Sequence, residues 1–576
     1  MKKTKKLLLK ITGLLVTTAL ISCQDKADNE SRIMERVSLQ TESFYGTLEP
    51  FASNAVYFLM TDRFVDGDPE NNFPNQGGDN PTFQNTLVGP NGQVANVGYM
   101  GGDFQGILDN AGYIKDLGFG AIWLTPIVDQ PDESFAGGEP IAFGRAFRDG
   151  GKTGYHGYWG VNFFKTDEHL PSKNLDFKQL TQQLREKYQI KTVLDIVLNH
   201  GSPAYTMKPK QQPKFGQLFD KDGRLIADQQ NLDPEKLSDD NPLHRFYNKS
   251  NDILQLSDFN QDNPEVLDYF SEAYLYWITQ GADAFRIDTI KHMPHSFWKA
   301  FSDRIRDKHS EFFMFAESYS FDADFIAEHT LDKNGGISVL DFPGREWMTK
   351  VFENKNSDFS ELTNYLHLEK GPYKNPYELM TFYDNHDMSR MNADDNGFID
   401  AHNWLFTSRG IPVIYYGSEI AFMAGTSEHA GNRNYLGQEN IEKAEKHPVY
   451  RALSKVANIR KNAIALQKGL QVNLEFSKNK AAFYRIFEHG GKYQTALVML
   501  NKGDTPVEFN IDKYLSDGQW REAFSNEKII VKGSLKRVVE AHGISILFFD
   551  AANNNQQLIE RMRQLMGRER EASSRD

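Results

Sequence analysis

The feature that most constrains the fold is a repeat of short apolar segments, each followed by a polar cluster and most preceded by a helical segment. Alternating strands and helices imply parallel βαβ units, and a count near eight implies a closed barrel. The pattern therefore predicts an α/β fold, a (β/α)8 TIM barrel. The predicted strands are residues 56–60, 121–124, 192–197, 284–287, 313–316, 338–340, 380–383 and 413–415.

Two further regions interrupt or follow the barrel. After the third strand, about 60 polar residues form a segment too long for an ordinary loop, which indicates an excursion domain. Beyond Leu466, short strands broken by Gly and Asp turns predict an antiparallel β-sandwich, and a frayed amphipathic helix follows it. The predicted order is barrel (51–200), excursion domain (201–258), barrel (259–465), C-terminal β-sandwich (466–550) and tail (551–576).

The N-terminus predicts export. A basic run precedes an apolar stretch from Leu7 to Ile21, which is interrupted by Lys10 and is too short for a good membrane span. The ending Leu-Ile-Ser-Cys23 resembles a bacterial lipobox, so we expect residues 1–23 to be a signal peptide and Cys23 to carry a lipid anchor. Residues 24–50 would be a tether of an exported lipoprotein, at the outer membrane, the cell surface or the periplasmic face. The alternative is an ordinary secretory signal with a chance cysteine.

Charge and composition restrict the partners. A formal charge of -13 argues against an extended nucleic-acid surface. Aromatic residues make up 12% of the chain, and they can form the core or present flat apolar faces on which sugars stack. A neutral partner such as a carbohydrate fits this balance, and the single cysteine excludes an intrachain disulfide.

Polar residues follow the strand ends, where a barrel of this class builds its active site. The convergence of Asp288, Glu317 and Asp387 from three of these ends, with two histidines and an arginine, favours a functional site over separate structural roles. The residues are Asp195, Asn199 and His200 after the third strand; Arg286, Asp288, Lys291 and His292 at the fourth; Glu317 after the fifth; and Asp384, Asn385, His386 and Asp387 after the seventh.

The fourth strand carries an unusual ion pair. Because side chains alternate along a strand, Arg286 and Asp288 share one face. A neighbouring cation favours the ionised carboxylate that a nucleophile needs. A structural ion pair inside the barrel is the alternative for these two residues taken alone.

Five segments in order resemble the α-amylase family of glycoside hydrolases, over about residues 51 to 550. They are 118–126 (GFGAIWLTP), 195–200 (DIVLNH), 285–292 (FRIDTIKH), 315–317 (FAE) and 384–387 (DNHD). The resemblance implies that Asp288 is the nucleophile, Glu317 the general acid/base, and Asp387 the carboxylate that holds the distorted sugar. A retaining glycosidase needs two such carboxyl groups about 5 to 5.5 Å apart.

The same resemblance implies the residues that bind the substrate. Tyr158, within 154–159 (GYHGYW), resembles the family's stacking platform, although core packing is the alternative. Lys291, in the Lys-His pair after the nucleophile, is similar to the residue that contacts the sugar beyond the cleaved bond. The implied substrate-binding set is Tyr158, Asp195, His200, Arg286, Lys291, His386 and Arg390.

Two calcium sites follow from the resemblance. The first is similar to the calcium loop of cyclodextrin glucanotransferases, and hard oxygen donors on loops suit Ca²⁺; a solvated turn is the alternative. The second would join the barrel to the excursion domain through Asn199, Asp258 and the carbonyl of His292. The ligands implied for the first site are Asp66, Asp68, Asn71, Asn72, Gly101 and Asp103.

Three functions remain open. The Lys291-His292 pair favours hydrolysis of α-1,4-glucosidic bonds in starch, glycogen or maltodextrins through a covalent glycosyl-enzyme. Transglycosylation, or the formation or degradation of cyclodextrins, is the second. Leu254 stands where cyclodextrin-forming enzymes place a central aromatic residue, which argues against cyclisation. The third is a catalytically silent glucan-binding surface lipoprotein, against which the three carboxylates argue.

Overall fold

Eight parallel strands form the centre of the molecule. The structure, a computed structural model, describes residues 42–207 and 211–572. The strands are β1 (Val56–Leu59), β2 (Ala121–Leu124), β3 (Lys191–Ile196), β4 (Ala284–Ile287), β5 (Phe313–Ala316), β6 (Ser338–Val339), β7 (Met380–Thr381) and β8 (Ile411–Tyr415). They lie in the order β6-β5-β4-β3-β2-β1-β8-β7, and a parallel bridge between Leu340 and Met380 brings the two outer strands together. The predicted (β/α)8 barrel is therefore confirmed.

The register of the central strands sets the level of the functional side chains. Strands β4 and β5 are buried along their whole length, as expected of parallel strands covered on both faces. Ile287 pairs with Ala316 of β5 and with Ile196 of β3. The residues that follow, Asp288 and Glu317, therefore leave neighbouring strands at the same level of the barrel.

Helices surround the barrel and bury one face each. In Pro264–Thr279, Val266, Phe270, Tyr274 and Trp277 are buried at spacings of three and four residues, as in an amphipathic helix. Asn263 caps its first turn by accepting from the Glu265 amide. The helices of the barrel and its C-terminal edge are Thr61–Phe64, Phe104–Asp109, Ala111–Asp116, Phe177–Gln183, Pro264–Thr279, His295–Lys308, Ala323–Ala327, Phe342–Phe352, Asp395–Leu405, Gly437–Ala444, Pro448–Lys461 and Ile464–Lys468.

The excursion domain leaves and rejoins the barrel through one antiparallel pair, His200–Pro203 with Leu256–Asp258. A second pair, Gln217–Phe219 with Leu225–Asp228, lies within it. It has its own small hydrophobic core with neighbouring loops, which fixes it above the carboxyl ends of the strands. This core contains Phe135, Trp159, Met207, Phe215 and Leu256.

A C-terminal antiparallel β-sandwich follows the barrel, as predicted. Its strands are β9 (Leu470–Ser477), β10 (Lys480–His489), β11 (Lys492–Asn501), β12 (Val507–Ile511), β13 (Gly518–Glu522), β14 (Lys528–Val531), β15 (Leu535–Val539) and β16 (Gly543–Phe549). Six strands form one sheet in the order β9-β10-β11-β16-β13-β14, and β12 pairs with β15 in the other.

Both ends of the described chain pack against this sandwich or its neighbourhood. Phe44 is buried and exchanges two backbone hydrogen bonds with Glu488, so the packed chain begins before residue 51. The final helix, Gln556–Ala572, buries Leu558, Met562 and Leu565 and is therefore docked rather than frayed. Within 42–207 and 211–572, no helix combines the length and apolar character needed to cross a membrane. The signal peptide and Cys23 lie outside the described residues and stay predictions.

Candidate active site

A cavity of about 500 Å³ opens at the carboxyl ends of the barrel strands. Asp288, Glu317 and Asp387 all line it, although each comes from a different strand end. Asp288 and Glu317 are 5% and 6% exposed, so both carboxylates face a largely desolvated space. The other lining residues used below are Phe147, Asp149, Lys152, Tyr158, His200, Asp252, Leu254, Lys291, His292, Tyr319, His386, Glu428 and Arg433.

Arg286 joins the carboxylates of three strands from behind this cavity. Its Nη1 donates to Asp195 Oδ1 and to Asp288 Oδ1, at 2.8 Å each. Its Nη2 donates to Glu317 Oε2. Arg286 is fully buried and Asp195 is 1% exposed. Asp195 also accepts from the Tyr158 hydroxyl and from Trp123 Nε1. Arg286 and Asp195 are not among the residues that line the cavity, and the sugar contacts predicted for them stay predictions.

Three carboxyl groups at the site, those of Glu317, Asp195 and Asp387, carry raised pKa values. Burial raises the pKa of Glu317 well above its ordinary value, and Asp387, Asp288 and Asp195 add to the effect, while Arg286 opposes it. Burial also raises the pKa of Asp195 to about 7 and that of Asp387 above its ordinary value. A carboxyl group that keeps its proton at neutral pH can act as a general acid.

Tyr158 and two histidines form one wall of the cavity. The Tyr158 ring stacks on His386, with centroids 5.3 Å apart and 10° between the planes, and its hydroxyl donates to Asp195 Oδ2 at 2.8 Å. His200 Nε2 lies 4.0 Å from Asp288 Oδ2. The Nδ1 atoms of His200 and His386 have no hydrogen-bond partner within the described chain. Both histidines line the cavity, and the sugar contacts predicted for them stay predictions.

Lys291 lies at one end of the cavity, beside Tyr319. Its Nζ donates to the carbonyl oxygen of Tyr319 at 2.8 Å and lies 5.7 Å from the centre of the Tyr319 ring. The aromatic ring and the ammonium group are offered together to a ligand, and Tyr319 was not singled out from the sequence.

Arg390 does not reach the cavity, which corrects the predicted substrate contact. Its guanidinium is buried, packs 4.4 Å from the Tyr415 ring centre and donates to the carbonyl oxygen of Asn432. Arg433 takes the place beside the third carboxylate, because its Nη2 donates to Asp387 Oδ1 at 2.6 Å. Arg433 lies on a loop after β8, with no strand-end signal that could have identified it from the sequence.

A chain of ion pairs continues from Arg433. Its Nη1 lies 3.0 Å from Glu428, Lys152 Nζ lies 3.9 Å from Glu428, and Lys152 also pairs with Asp149 at 2.8 Å. Lys152 and Asp149 are both less than 10% exposed. This chain of charges, which the sequence did not predict, leads from Asp387 to Asp149, and all of its members line the cavity.

The first predicted calcium loop contains buried oxygens without partners. Asp66 Oδ1, Asn71 Oδ1 and Asn72 Oδ1 accept no hydrogen bond from the described residues. Gly101 has φ +92°, and a Cβ there would lie 2.4 Å from Asn72 Oδ1, so the loop closes tightly around these oxygens. Unpartnered buried oxygens on loops fit a hard cation such as Ca²⁺.

Two other predicted ligands of this loop already accept hydrogen bonds from the protein, and their calcium contacts stay predictions. Both oxygens of Asp103 already accept hydrogen bonds, from the amides of Gly67, Gly106 and Asp68 and from Asn71 Nδ2. Asp68 accepts from the Glu70 amide. Asp103 therefore organises the loop and caps the helix Phe104–Asp109, whereas the unpartnered oxygens are those of Asp66, Asn71 and Asn72.

The second predicted calcium ligands lie together between the barrel and the excursion domain. Asn199 Nδ2 donates to Asp252 Oδ2 at 3.2 Å, and the His292 ring contacts the same carboxylate at 2.9 Å. Asp258 accepts from Asn248, and burial raises the pKa of Asp258 to about 6. Asp252 adds a carboxylate that the sequence did not identify.

A third acidic group, Asp129, Asp167 and Glu168, brings carboxylate oxygens within 4.8 Å of one another. Lys165 and Lys214 occupy positions beside it, at 2.8 Å and 3.5 Å from Asp129. These ammonium groups supply the cationic partners of the cluster.

Comparison with known proteins gives the same family as the geometry. Residues 58–455 match the model of the alpha-amylase catalytic domain. A cyclomaltodextrin glucanotransferase of Klebsiella oxytoca is 27% identical over 521 residues, which are 82% of this chain and 73% of that one. The chain spans between 55% and 73% of the length of the glucanotransferases that it matches.

Solved structures extend the similarity to almost the whole described chain. An Anoxybacillus α-amylase is 25% identical with a TM-score of 0.67, covering 88% of this chain and 99% of that one. A cyclomaltodextrin glucanotransferase with a three-domain ABC distribution is 26% identical with a TM-score of 0.68, covering 87% and 99%.

Proposed function

Because the chain belongs to the α-amylase family and is a glycoside hydrolase-type enzyme, we propose that it hydrolyses α-1,4-glucosidic bonds of starch, glycogen or maltodextrins through a covalent glycosyl-enzyme. The observation that carries this proposal is the convergence of Asp288, Glu317 and Asp387 on one cavity. Arg286 contacts both Asp288 and Glu317. Two carboxyl groups held by one guanidinium support the close pairing of a retaining enzyme, about 5 to 5.5 Å, rather than the wider inverting pairing.

In the first step, Asp288 attacks the anomeric carbon while Glu317 gives its proton to the glycosidic oxygen. The bond from that carbon to the oxygen breaks, the leaving chain departs with the proton as its new hydroxyl, and the remaining glycosyl unit is esterified to Asp288. The raised pKa of Glu317 supports this role, since its carboxyl must be protonated at neutral pH.

In the second step, Glu317 acts as a base. It takes a proton from water, whose oxygen attacks the anomeric carbon and releases Asp288 as a carboxylate. Asp387, held by Arg433 and His386, would bind hydroxyl groups of the reacting sugar, and these hydrogen bonds strengthen as the ring flattens. Tyr158 would stack on that sugar, and Lys291 with Tyr319 would bind the sugar beyond the cleaved bond.

We also propose Ca²⁺ at the loop of Asp66, Asn71 and Asn72, with the carbonyl of Gly101 beside them. The unpartnered oxygens support this site. A second ion would bind Asn199, Asp252 and Asp258, with the carbonyl of His292. Bound calcium would supply rigidity to the loops that flank the cleft, and the chemical steps use the carboxylates alone.

Transglycosylation or cyclodextrin chemistry is the second candidate, because the glycosyl-enzyme can react with a sugar hydroxyl instead of water. The names of the glucanotransferase relatives favour it. Against cyclisation stands Leu254, an aliphatic residue that lines the cavity and is 39% exposed, where an aromatic ring would be needed to hold a curved chain. Hydrolysis is therefore the better-supported reaction.

One experiment separates these functions. The purified chain, an Asp288→Ala variant and a matched control, Asp303→Ala on an exposed helix face, are incubated with amylose, cyclodextrins and pullulan, and the products are sized. Linear oligosaccharides lost only in Asp288→Ala support hydrolysis. Cyclic products would favour the glucanotransferase reaction instead. Binding of amylose without any turnover by the unmutated chain would leave only the silent glucan-binding protein.

We propose that the enzyme is exported and anchored through Cys23. The basic and apolar N-terminus with its lipobox-like ending supports this. Mass spectrometry of the mature chain from cells tests it: a diacylglyceryl-modified Cys23 as the first residue is expected, and a mature chain that starts elsewhere without lipid would contradict it.

A further inference from the structure

Residues 136–152, which lie between β2 and Tyr158 in the sequence, are called here the strap, and their contacts cross the cleft. On one side they are tied to the excursion domain. The Ala136 amide donates to Gln212 Oε1 at 2.7 Å, the Gly138 amide donates to Thr206 Oγ1 at 2.9 Å, and Gln255 Nε2 donates to Asp149. The strap therefore contacts the excursion domain near both of its ends.

On the opposite side of the cleft, the strap contacts the loop that follows β8. The Gly144 amide donates to the carbonyl oxygen of His429 at 2.7 Å, and His429 Nδ1 contacts the carbonyl oxygen of Arg145. Lys152 faces Glu428 of the same loop. Since the strap contacts both the excursion domain and the loop after β8, it bridges the cleft instead of lying along one side of it.

The strap stands at one identifiable end of the cavity. The ion pairs Lys152–Glu428, Glu428–Arg433 and Arg433–Asp387 connect it to the third carboxylate. Lys291 and Tyr319 lie outside this chain of contacts. By the proposed function they bind the sugar beyond the cleaved bond, on the side of the leaving chain. The strap therefore bridges the end of the cleft beyond Asp387. This end, called here the donor end, must hold the part of the glucan that stays bonded to Asp288.

The side chains of the strap make this end a wall. Asp149 and Lys152 line the cavity and are buried, and Lys152 lies over the Trp159 ring, 5.5 Å from its centre. Phe147 lines the rim, is 77% exposed, and has φ +57°. A bulky residue with positive φ is an unfavourable conformation that is usually associated with function, so the exposed ring is held at the rim against its backbone preference.

The chemistry converts this geometry into a mode of action. The glycosyl unit that becomes bonded to Asp288 carries the non-reducing part of the chain, and that part must extend toward the strap. We propose that the strap closes the donor end of the cleft, so that the enzyme attacks α-glucans from their non-reducing ends and releases short oligosaccharides of narrow size range. This inference rests on the proposed hydrolysis, and it commits that reaction to exo action.

The decisive test uses the unmutated enzyme and two substrates. One is maltoheptaose, and the other is maltoheptaose with a 4,6-ethylidene group on its non-reducing glucose. A closed donor end predicts kcat/KM at least about tenfold lower for the blocked chain, because the added group collides with the wall. On amylose, products of narrow size are expected from the first few per cent of conversion, and the iodine colour falls only in proportion to new reducing ends.

The outcomes separate the two claims. Equal rates on both heptaoses, or an early loss of iodine colour at few new reducing ends, would overturn the closed donor end and leave hydrolysis standing. No cleavage of either chain would overturn the proposed hydrolysis and the exo action with it.

Variants of residues 142–148, the tip of the strap, provide a second test of the closed donor end. The Gly150 amide donates to the Glu139 carbonyl and the Ile141 amide to the Gly150 carbonyl, at 2.9 Å each, so the base of the tip is closed. Replacing residues 142–148 by two glycines should raise the relative rate on the blocked chain at least about threefold, since the clash is relieved. Phe147→Ala should change the product sizes, whereas its control Phe325→Ala, an exposed ring outside the cavity lining, should not.

Discussion

Removal of the proposed calcium should lower the free energy of unfolding of the catalytic barrel. The expected size of this loss follows from the unpartnered oxygens of the loop at Asp66. Three oxygens there, Asp66 Oδ1, Asn71 Oδ1 and Asn72 Oδ1, are buried without a hydrogen-bond donor among the described residues. Each unsatisfied buried acceptor costs about 1–3 kcal/mol. A cation that satisfies all three would therefore stabilise the folded loop by about 3–9 kcal/mol, before the desolvation of the ion is subtracted.

This energy translates into a shift of the thermal midpoint. The matched catalytic domain has about 400 residues, and an unfolding entropy of about 2 cal/mol/K per residue converts 3–9 kcal/mol into roughly 4–11 °C. The assay is differential scanning calorimetry of the full chain in 5 mM EDTA and in 5 mM CaCl2. MgCl2 at the same concentration is the control, because Mg²⁺ demands a smaller octahedral site.

Variants distinguish the ligands from the residues that only shape the loop. Asp66→Ala removes one of the unpartnered oxygens and should abolish most of the calcium-dependent shift. Glu70→Ala is the matched control, because its side chain lies on the same loop, is exposed and is not among the implied ligands; this variant should keep the shift. A midpoint that moves less than 1 °C between EDTA and calcium, or a full shift in Asp66→Ala, would refute the reasoning.

Three further outcomes are expected. Glu317→Gln should lower kcat about 10²- to 10⁴-fold, and its residual activity should lose the alkaline fall in the pH profile that deprotonation of Glu317 causes in the unmutated enzyme. Tyr158→Phe removes the donor to Asp195 and should lower kcat/KM about tenfold or more while the Tyr158→Ala variant also raises KM, because only the latter loses the ring. His542, whose pKa is raised to about 9 by Asp400 and Asp504, stabilises the fold most above pH 6, where its partner Asp400, whose pKa burial raises to about 6, is ionised; this contribution is lost as pH rises through 9. After allowance for screening at exposed Asp504, His542→Asn should cost about 1–2 kcal/mol at pH 7 and almost nothing at pH 10, by calorimetry.

The barrel and the convergence of Asp288, Glu317 and Asp387 on one cavity could be predicted, because both depend on local signals that the fold brings together. Continuous apolar runs mark buried parallel strands, and the residue after each run lies at the same end of the barrel. Asp288 and Glu317 follow β4 and β5 directly, and the register that pairs Ile287 with Ala316 then makes them neighbours. No knowledge of distant contacts was needed for these residues.

The remaining site residues depend on long-range loop contacts that no local pattern encodes. Arg433 contacts Asp387 across 46 residues of chain, and Lys152 meets Glu428 from an even more distant loop. Arg390 shows the opposite error. It closely follows the seventh strand, yet the chain turns where the Met391 amide donates to Asp384, and the guanidinium packs on Tyr415 instead of facing the cavity.

The charge balance of the cavity explains why one of its acids keeps a proton. Asp195, Asp288 and Glu317 share the single guanidinium of Arg286, which is fully buried and can balance only one negative charge. Arg433 is already shared between Asp387 and Glu428, so it supplies no compensating charge to Arg286's group. In a desolvated site, an excess of carboxylates is relieved by protonation. Burial is the main cause of the raised pKa of Glu317, and the neighbouring carboxylates add to it because one arginine serves three acids. In the proposed mechanism, the general acid therefore depends on a desolvated site with a deficit of positive charge.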